Sequence, residues 1–306
     1  MTNSIFTIKS PLTSTDSTLQ KLYRDPLLDG VANDGVRFIA DFGFGYSYPG
    51  GALTGRAAPA TPVNGALVQD VSEHANGYVN LIGSEALTYA GGGISFANGV
   101  SSGYVGPGLI SGSCLVIPAS VAADIWSAYG GNSQQYLLTM YLKLPTLANW
   151  AAAGETAFPM TFSDYGGGVE LAGFGFAPSA SYLQAIYKSG VSTAKYVNMV
   201  GFDTVDCGQV AQLAFWRNAS GTGLTLRTAR ARTTTLGIVN ADVTTSFAAQ
   251  KGKIGTANAY WGTATSPAKN FVLYRAFVEN LARSGRAPLT VLEADWLRVV
   301  ARGAFS

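Results

Sequence analysis

"YRAFVENLARSGRAPLTVLEADW", residues 274–296, decides how this chain is built. With the three residues before it, the first half alternates at strand period. Phe271, Leu273, Arg275 and Phe277 fall on one face, and Val272, Tyr274, Ala276 and Val278 on the other. Both faces are mostly apolar, which predicts a strand covered on two sides. Ser284-Gly285-Arg286 then supplies a tight turn. Beyond Pro288, Thr290 and Glu293 have the Thr-x-x-Glu spacing of a capping box, in which each side chain satisfies a free backbone N–H at the helix start. Leu292, Trp296 and Val299 form one helical stripe, Arg298 and Arg302 sit where the helix dipole favours cations, and Gly303 can end the helix. Such a helix is expected to dock against the outside of a sheet.

The rest of the chain agrees with that ending. Among 306 residues, apolar types make up 47% and charged types 12%, about half the usual share, while glycine holds 37 positions. This composition points to strands and turns and leaves enough length to bury a substantial core. The net charge of +2 is too small for the electrostatic footprint of a nucleic-acid binder. Arg227, Arg230 and Arg232 are the local basic excess, spaced as on a charge-protected edge strand. A large surface of low charge tolerates being covered by neighbours, which suits a subunit of an assembly. The opening "MTNSIFTIKSPLTSTDST" lacks the basic leader and apolar run of a signal peptide, and no stretch is long and apolar enough for a membrane helix. Synthesis and folding in a cytoplasm are therefore expected, with Cys114 and Cys207 as buried thiols.

Residues 1–35 are polar and aperiodic, and are read as an N-terminal arm. Residues 36–306 are read as one sandwich domain. "VRFIADFGFGYSYPGG" places Phe38, Phe42, Phe44 and Tyr46 at period two, and predicts the first core strand. From residue 87 onward, short strands recur between Gly and Asn turns, including "GYVGPGLI", "YLLTMYLKL", "VELAGFGFA", "KYVNMVGF" and "QVAQLAFWRN". Two short helices interrupt them: "SVAADIWSAYGG", with Ser120 as its cap, and "TLANWAAAG", with Thr146 as its cap. Trp126, Trp150 and Trp296 lie on helical stripes and Trp216 ends a strand, so all four are expected in the core.

The stretch "CGQVAQLAFWRNASGTGLTLRTAR", Cys207 to Arg230, resembles a strand pair of laminin-G-like or concanavalin-A-like sandwiches. Val210 stands where those proteins often have Trp, and Gln212 where they often have His. The Tyr-Arg strand, Glu-Asn-Leu, Ser-Gly-Arg and terminal helix are similar to the ending of tailed-bacteriophage structural proteins. "FIADFGFGYSYPGGA" resembles an N-terminal segment of the same group. In element order the likeness spans residues 35–303. It implies an all-β, concanavalin A-like jelly-roll sandwich with short connecting helices and a C-terminal helix packed outside. It also implies a virion protein, made in the host bacterial cytoplasm, whose partners are other virion proteins and further copies of itself.

Catalytic groups can be sought by elimination. Retaining glucanases on this sandwich need carboxylates in a Glu-x-Asp-x-x-Glu run on one strand. Glu293-Ala294-Asp295 is the nearest match, but it falls in the helix, with Arg298 at the second Glu position. Glu170 stands alone in its strand. His74 is the single histidine, in a loop-like stretch, and no Gly-x-Ser-x-Gly elbow accompanies it. One His and two distant Cys do not make a zinc site, and the glycine triplets at 91–93 and 166–168 lack the Lys of a phosphate loop. Asp203 and Asp206 are calcium candidates that an Asx-type turn explains equally well. Tyr260 and Trp261 are the candidate carbohydrate-binding pair, with a place in the sandwich rim as the alternative. The expectation is a non-enzymatic virion component without cofactor, zinc site or nucleic acid. A carbohydrate-binding adhesin for a bacterial surface glycan stands second, and a polysaccharide-degrading enzyme third.

Overall fold

The computed structural model describes residues 25–28, 35–48, 61–82, 87–97, 112–126, 134–152, 157–164, 169–177, 182–189, 193–200, 202–238, 241–243, 251–255, 270–301 and 305. In chain order the strands are β1 (Val36–Asp41), β2 (Leu67–Val68), β3 (Gly77–Asn80), β4 (Thr88–Ala90), β5 (Gly93–Ser95) and β6 (Cys114–Ile117). After helix α1 (Ala119–Trp126) come β7 (Tyr136–Lys143), helix α2 (Leu147–Ala152), β8 (Ala157–Asp164), β9 (Val169–Ala177), β10 (Tyr182–Ser189) and β11 (Thr193–Val200). The chain continues through β12 (Val210–Asn218), β13 (Gly221–Arg227), β14 (Arg232–Gly237), β15 (Gly252–Gly255) and β16 (Val272–Asn280). It closes with the one-turn helix α3 (Leu281–Ser284) and helix α4 (Pro288–Ala301).

Among the described residues these strands form two eight-stranded antiparallel sheets. The first runs β14-β13-β12-β7-β16-β5-β4, with β1 also paired to β16; the second runs β11-β10-β9-β8-β15-β6-β3-β2. Alternation explains why they face each other. Leu138, Met140 and Leu142 of β7 and Leu213 and Phe215 of β12 turn inward against Leu115 and Ile117 of β6, Met160 and Phe162 of β8 and Leu183 and Ala185 of β10. Helix α1 closes one end through Val121, Ala122, Ile125 and Trp126, the last stacked on Tyr136. The chain is thus the expected all-β sandwich of two antiparallel sheets, with short connecting helices and an outer terminal helix.

Helix α4 lies on the outside of the first sheet. Its Val291, Leu292, Trp296 and Val299 meet Leu137, Tyr141, Ala214, Trp216, Tyr274 and Phe277 from the outward face of β7, β12 and β16. The expected stripe therefore docks where the pattern placed it. Trp216, expected at a strand end, is buried on this outward face in β12, where its indole needs a glycine opposite. A Cβ on Gly223 would come within 2.2 Å of Trp216 Cζ2.

Four local expectations are corrected. The first concerns the face assignment of β16, because its register against β7 shifts between Leu273 and Arg275. A bulge there inserts Tyr274, so Tyr274, Arg275 and Phe277 face the helix side while Leu273, Ala276 and Val278 face the interior. Second, Thr290 does not cap α4, which already begins at Pro288; the N–H groups of Thr290 and Val291 reach the Ala287 carbonyl, and Glu293 pairs elsewhere. Proline at the first helical position needs no donor partner, so the helix starts three residues ahead of the Val291 that a Thr290 cap would make its first. Third, Ser120 lies inside α1, which starts at Ala119; the Val121 N–H reaches the Pro118 carbonyl, so Pro118 holds the cap position expected for Ser120. Fourth, the period-two set starting at Phe38 breaks after Asp41, where the strand ends. Phe44 turns to the outer cluster and Tyr46 is 41% exposed.

Other expectations hold or fall outside view. Thr146 Oγ1 accepts from the Asn149 N–H at the start of α2. Gly285, with φ of 67°, ends α3 in the left-handed conformation and makes the turn into α4. Gly91 and Gly92 form the β4–β5 turn with positive φ. Cys114 and Cys207 are free thiols; Cys114 is fully buried as expected, its pKa pushed by burial to about 12, whereas Cys207, also expected buried, is only half-buried. The strand expected over 103–110 and the Trp150 side chain lie outside the described residues.

Candidate functional site

The densest polar constellation sits between the first sheet and α4. The bulge turns Arg275 into this space with no exposed surface. Its Nη1 donates to Asp25 Oδ2 at 2.7 Å and Asp41 Oδ2 at 2.9 Å, and its Nη2 donates to Asp25 Oδ1 at 3.2 Å and Asp295 Oδ1 at 3.0 Å. Asp295 Oδ2 accepts from the Tyr141 hydroxyl at 2.7 Å. Gln212 Nε2 donates to that hydroxyl and to the Leu292 carbonyl of α4. Three segments distant in sequence, the Asp25 turn, β1 and α4, are thereby tied to one guanidinium on β16, with β7 and β12 joined through Tyr141 and Gln212. Burial works against the charge on Arg275, but the three carboxylates outweigh it and hold its pKa well above the ordinary arginine value. Burial raises Asp295, an effect that Arg275 opposes and Asp25 reinforces. Burial and the neighbouring Asp295 also push the Tyr141 hydroxyl far up.

A second layer holds the same unit. Glu279, fully buried on β16, takes two bonds from Arg286, at 2.8 Å from Nε and 2.6 Å from Nη2. The remaining Arg286 Nη1 donates to the Leu27 carbonyl, and Arg298 Nη1 donates to the Pro26 carbonyl at 2.7 Å. Three arginines from the chain's last thirty-odd positions therefore grip the short turn Asp25–Leu28, whose Leu27 side chain is buried beneath them. Nearby, Asp124 of α1 joins Arg37 of β1, Asn280 and Arg283.

The candidate residues from sequence are distributed differently. Asp203 caps the short 3-10 turn Thr204–Asp206 through the Val205 N–H. Asp206 accepts from Thr228 Oγ1 and, at 2.8 Å, from Arg230 Nη2, which also meets Asp203 at 2.8 Å. The two calcium candidates thus share a guanidinium. Glu293 and Asp295 project to opposite sides of α4: Glu293 pairs with Arg227 and Arg232, and Asp295 with Arg275. Arg227 also lies over the Trp296 ring. His74 contacts Arg37 at 3.4 Å, in a loop folded around Asp70. The buried Asp70 carboxylate accepts from the N–H groups of Ile39, Ser72, His74 and Ala75. Tyr260, Trp261 and the Glu170 side chain lie outside the described residues. Among the described residues, no three or more His, Cys, Asp or Glu side chains gather as a metal site requires.

Sequence inspection missed the Arg275 cluster because its members come from four separate segments. One local signal was available: an arginine midway along a strand that is otherwise apolar on both faces must find carboxylates. Chemically the cluster is a fastening. Arginine stays charged, each carboxylate already accepts bonds, and Gln212, which resemblance places at a histidine position, ties strand β12 to α4.

No family model and no curated protein matches the sequence. Among solved structures, the chain is similar to a Trypanosoma rangeli sialidase in complex with 2,3-difluoro-KDN, at 11% identity and a TM-score of 0.45. That match covers 83% of this chain and 33% of the sialidase. The chain therefore spans about a third of the length of the sialidases it matches. It is also similar to the CBM2 module of the evolved Dit of Lactobacillus casei BL23 phage J-1, at 12% identity and a TM-score of 0.39, covering 80% of this chain and 95% of the module. A third likeness is to domain 4 of AbnA, a GH43 extracellular arabinanase from Geobacillus stearothermophilus in complex with arabinotriose. It has 13% identity and a TM-score of 0.41, with coverages of 81% and 93%. These are likenesses of shape with no bearing on chemistry.

Proposed function

We propose that the chain is a non-enzymatic structural component of a tailed-phage particle, on the head surface, at the baseplate or on a tail fibre. It works through contacts with other virion proteins and with copies of itself, after synthesis in the host bacterial cytoplasm. One observation carries this reading. The motif that resembles phage structural proteins is made of fastening groups: Arg275, Glu279, Asn280 and Arg286 each hold one element against another. A motif whose side chains all serve to lock a sandwich is what a scaffold protein needs. The carboxylates point the same way. Asp25, Asp41 and Asp295 serve Arg275, Asp242 serves Arg217, and Glu279 and Glu293 serve their own arginines, so each already has a structural task. Mass spectrometry of purified particles is expected to find this chain at structural copy number, and particles devoid of it would end the proposal.

A second reading is a carbohydrate-binding role, favoured by the adjacent Tyr260 and Trp261 in the Gly, Ala and Thr-rich stretch before β16. Adjacent aromatic rings offer a pyranose a flat apolar contact, with nearby polar groups setting orientation. A bacterial glycan array probed with the wild-type chain and with Trp261→Ala tests it. Signal lost in the variant is expected, and an array on which the two proteins behave alike would remove the role.

A further inference from the structure

Strand β14 is the outer edge of the first sheet, paired to β13 alone among the described residues. Its free side follows from the hairpin. The Thr228 N–H donates to the Ala231 carbonyl at 2.9 Å, and the register continues Arg227↔Arg232, Leu226↔Thr233, Thr225↔Thr234, Leu224↔Thr235 and Gly223↔Leu236. Antiparallel partners alternate between bonded and non-bonded pairs, so Arg232, Thr234 and Leu236 fall in the non-bonded set. Their N–H and C=O groups point away from β13. The close approach of Thr225 and Thr234 hydroxyls, at 3.1 Å, is that of a non-bonded pair.

Natural edges are blunted by charge, proline, bulges or shortness. Edge strands β2 and β4 have two and three residues, and edge β11 carries Lys195. By contrast β14 has six residues, no proline and no register shift, and its one charge, Arg232, is held by Glu293. Leu236 stands 68% exposed on it, and Ile238 just beyond is 70% exposed.

From this geometry we propose that β14 is a strand-addition surface whose occupant is β14 of a second copy, joined antiparallel about a two-fold axis. The proposal rests on the assembly reading above and names its contact. The strand's own sequence selects this occupant. Centring the axis on Thr234 sets the two Thr234 residues opposite each other, a favourable cross-strand pair. Arg232 of each copy then faces Leu236 of the other, so its aliphatic stem covers the exposed leucine. The two arginines stay about 14 Å apart, from four residues at about 3.4 Å each. No like charges oppose, and the unpaired backbone groups of both edges are satisfied in one continuous sheet.

Light scattering and sedimentation of the full chain test this. The wild type is expected at twice its 31.9 kDa mass. Thr234→Pro removes an outward N–H that β13 does not use, a position where an edge tolerates proline. Leu236→Lys places a charge opposite Arg232. Each is expected to weaken self-association at least about tenfold, roughly 1.4 kcal/mol, with Leu236→Lys leaving the melting temperature unchanged at concentrations where the wild type is monomeric. A wild type that stays at 31.9 kDa up to high concentration overturns the proposal, as do two variants that dimerise like the wild type. A monomeric chain that is nevertheless abundant in particles removes the edge contact alone. Particles without the chain remove the proposed function whatever its mass in solution.

Discussion

Arg275 and Arg230 use the same chemistry in opposite surroundings. Each guanidinium meets more than one aspartate at 2.7–3.0 Å, yet Arg275 has no exposed surface while the Arg230 side chain is 49% exposed. Around Arg275, water is excluded by β1, β7, β16 and α4, and any charge left without its partner keeps the whole desolvation cost. Around Arg230, water and salt share the work, and the pair with Asp203 is screened. The contrast teaches that composition does not tell a fastening from a surface decoration; the layer in which the arginine lies does.

The sharpest way to break the comparison is to remove the buried cation. Arg275→Met leaves Asp25, Asp41 and Asp295 uncompensated and is expected to cost about 3–5 kcal/mol of stability in urea unfolding. Arg275→Lys is expected to recover little of it, because a single ammonium cannot reproduce the bidentate bond to Asp25. A loss under about 1 kcal/mol for the methionine variant would mean the cluster is not a lock.

Next in size is Asp295→Asn, where pH is the informative variable. Burial raises Asp295 above its ordinary value of 3.8, so the folded state binds this proton more tightly than the unfolded one. Its contribution to stability is fully present below 3.8 and is lost as pH rises through the folded value. Wild type minus variant stability should therefore grow on acidification from neutral pH, beyond a change of about 1 kcal/mol at neutrality. A gap that narrows instead would show the carboxyl to be depressed by Arg275. The smallest effect is expected for Arg230→Ala, a shift in melting temperature that vanishes when salt is raised to about 1 M, where the screening length falls to about 3 Å. A salt-independent loss there would erase the distinction between the two sites.

What was legible in the sequence was repetition within one element. The terminal helix, its buried stripe and its place outside the sheet follow from Leu292, Trp296 and Val299 at helical spacing. The many short strands follow from alternation and glycine turns. What was not legible depended on partners across space. Period two cannot reveal the bulge at Tyr274, because the extra residue is set by the register against β7, and that slip alone moves Arg275 from one face to the other. Nor can local spacing show that Glu293 meets Arg227 and Arg232 rather than its own helix start. Asp25 lies in a stretch without periodicity, and its partner is 250 positions away.

That separation bears on how the molecule is made. Strand β1, the first strand of the sheet that carries α4, takes its backbone partner from β16, and Asp41 waits for an arginine 234 positions later. Loops of that size close slowly, and until β16 is made β1 has only its contacts with the loop at Asp70 and Val71 and no strand beside it. Completion of the first sheet is thus deferred until β16 has been synthesised, and a product cut short ahead of it would leave Phe38, Ile39 and Phe42 without the strand that covers them.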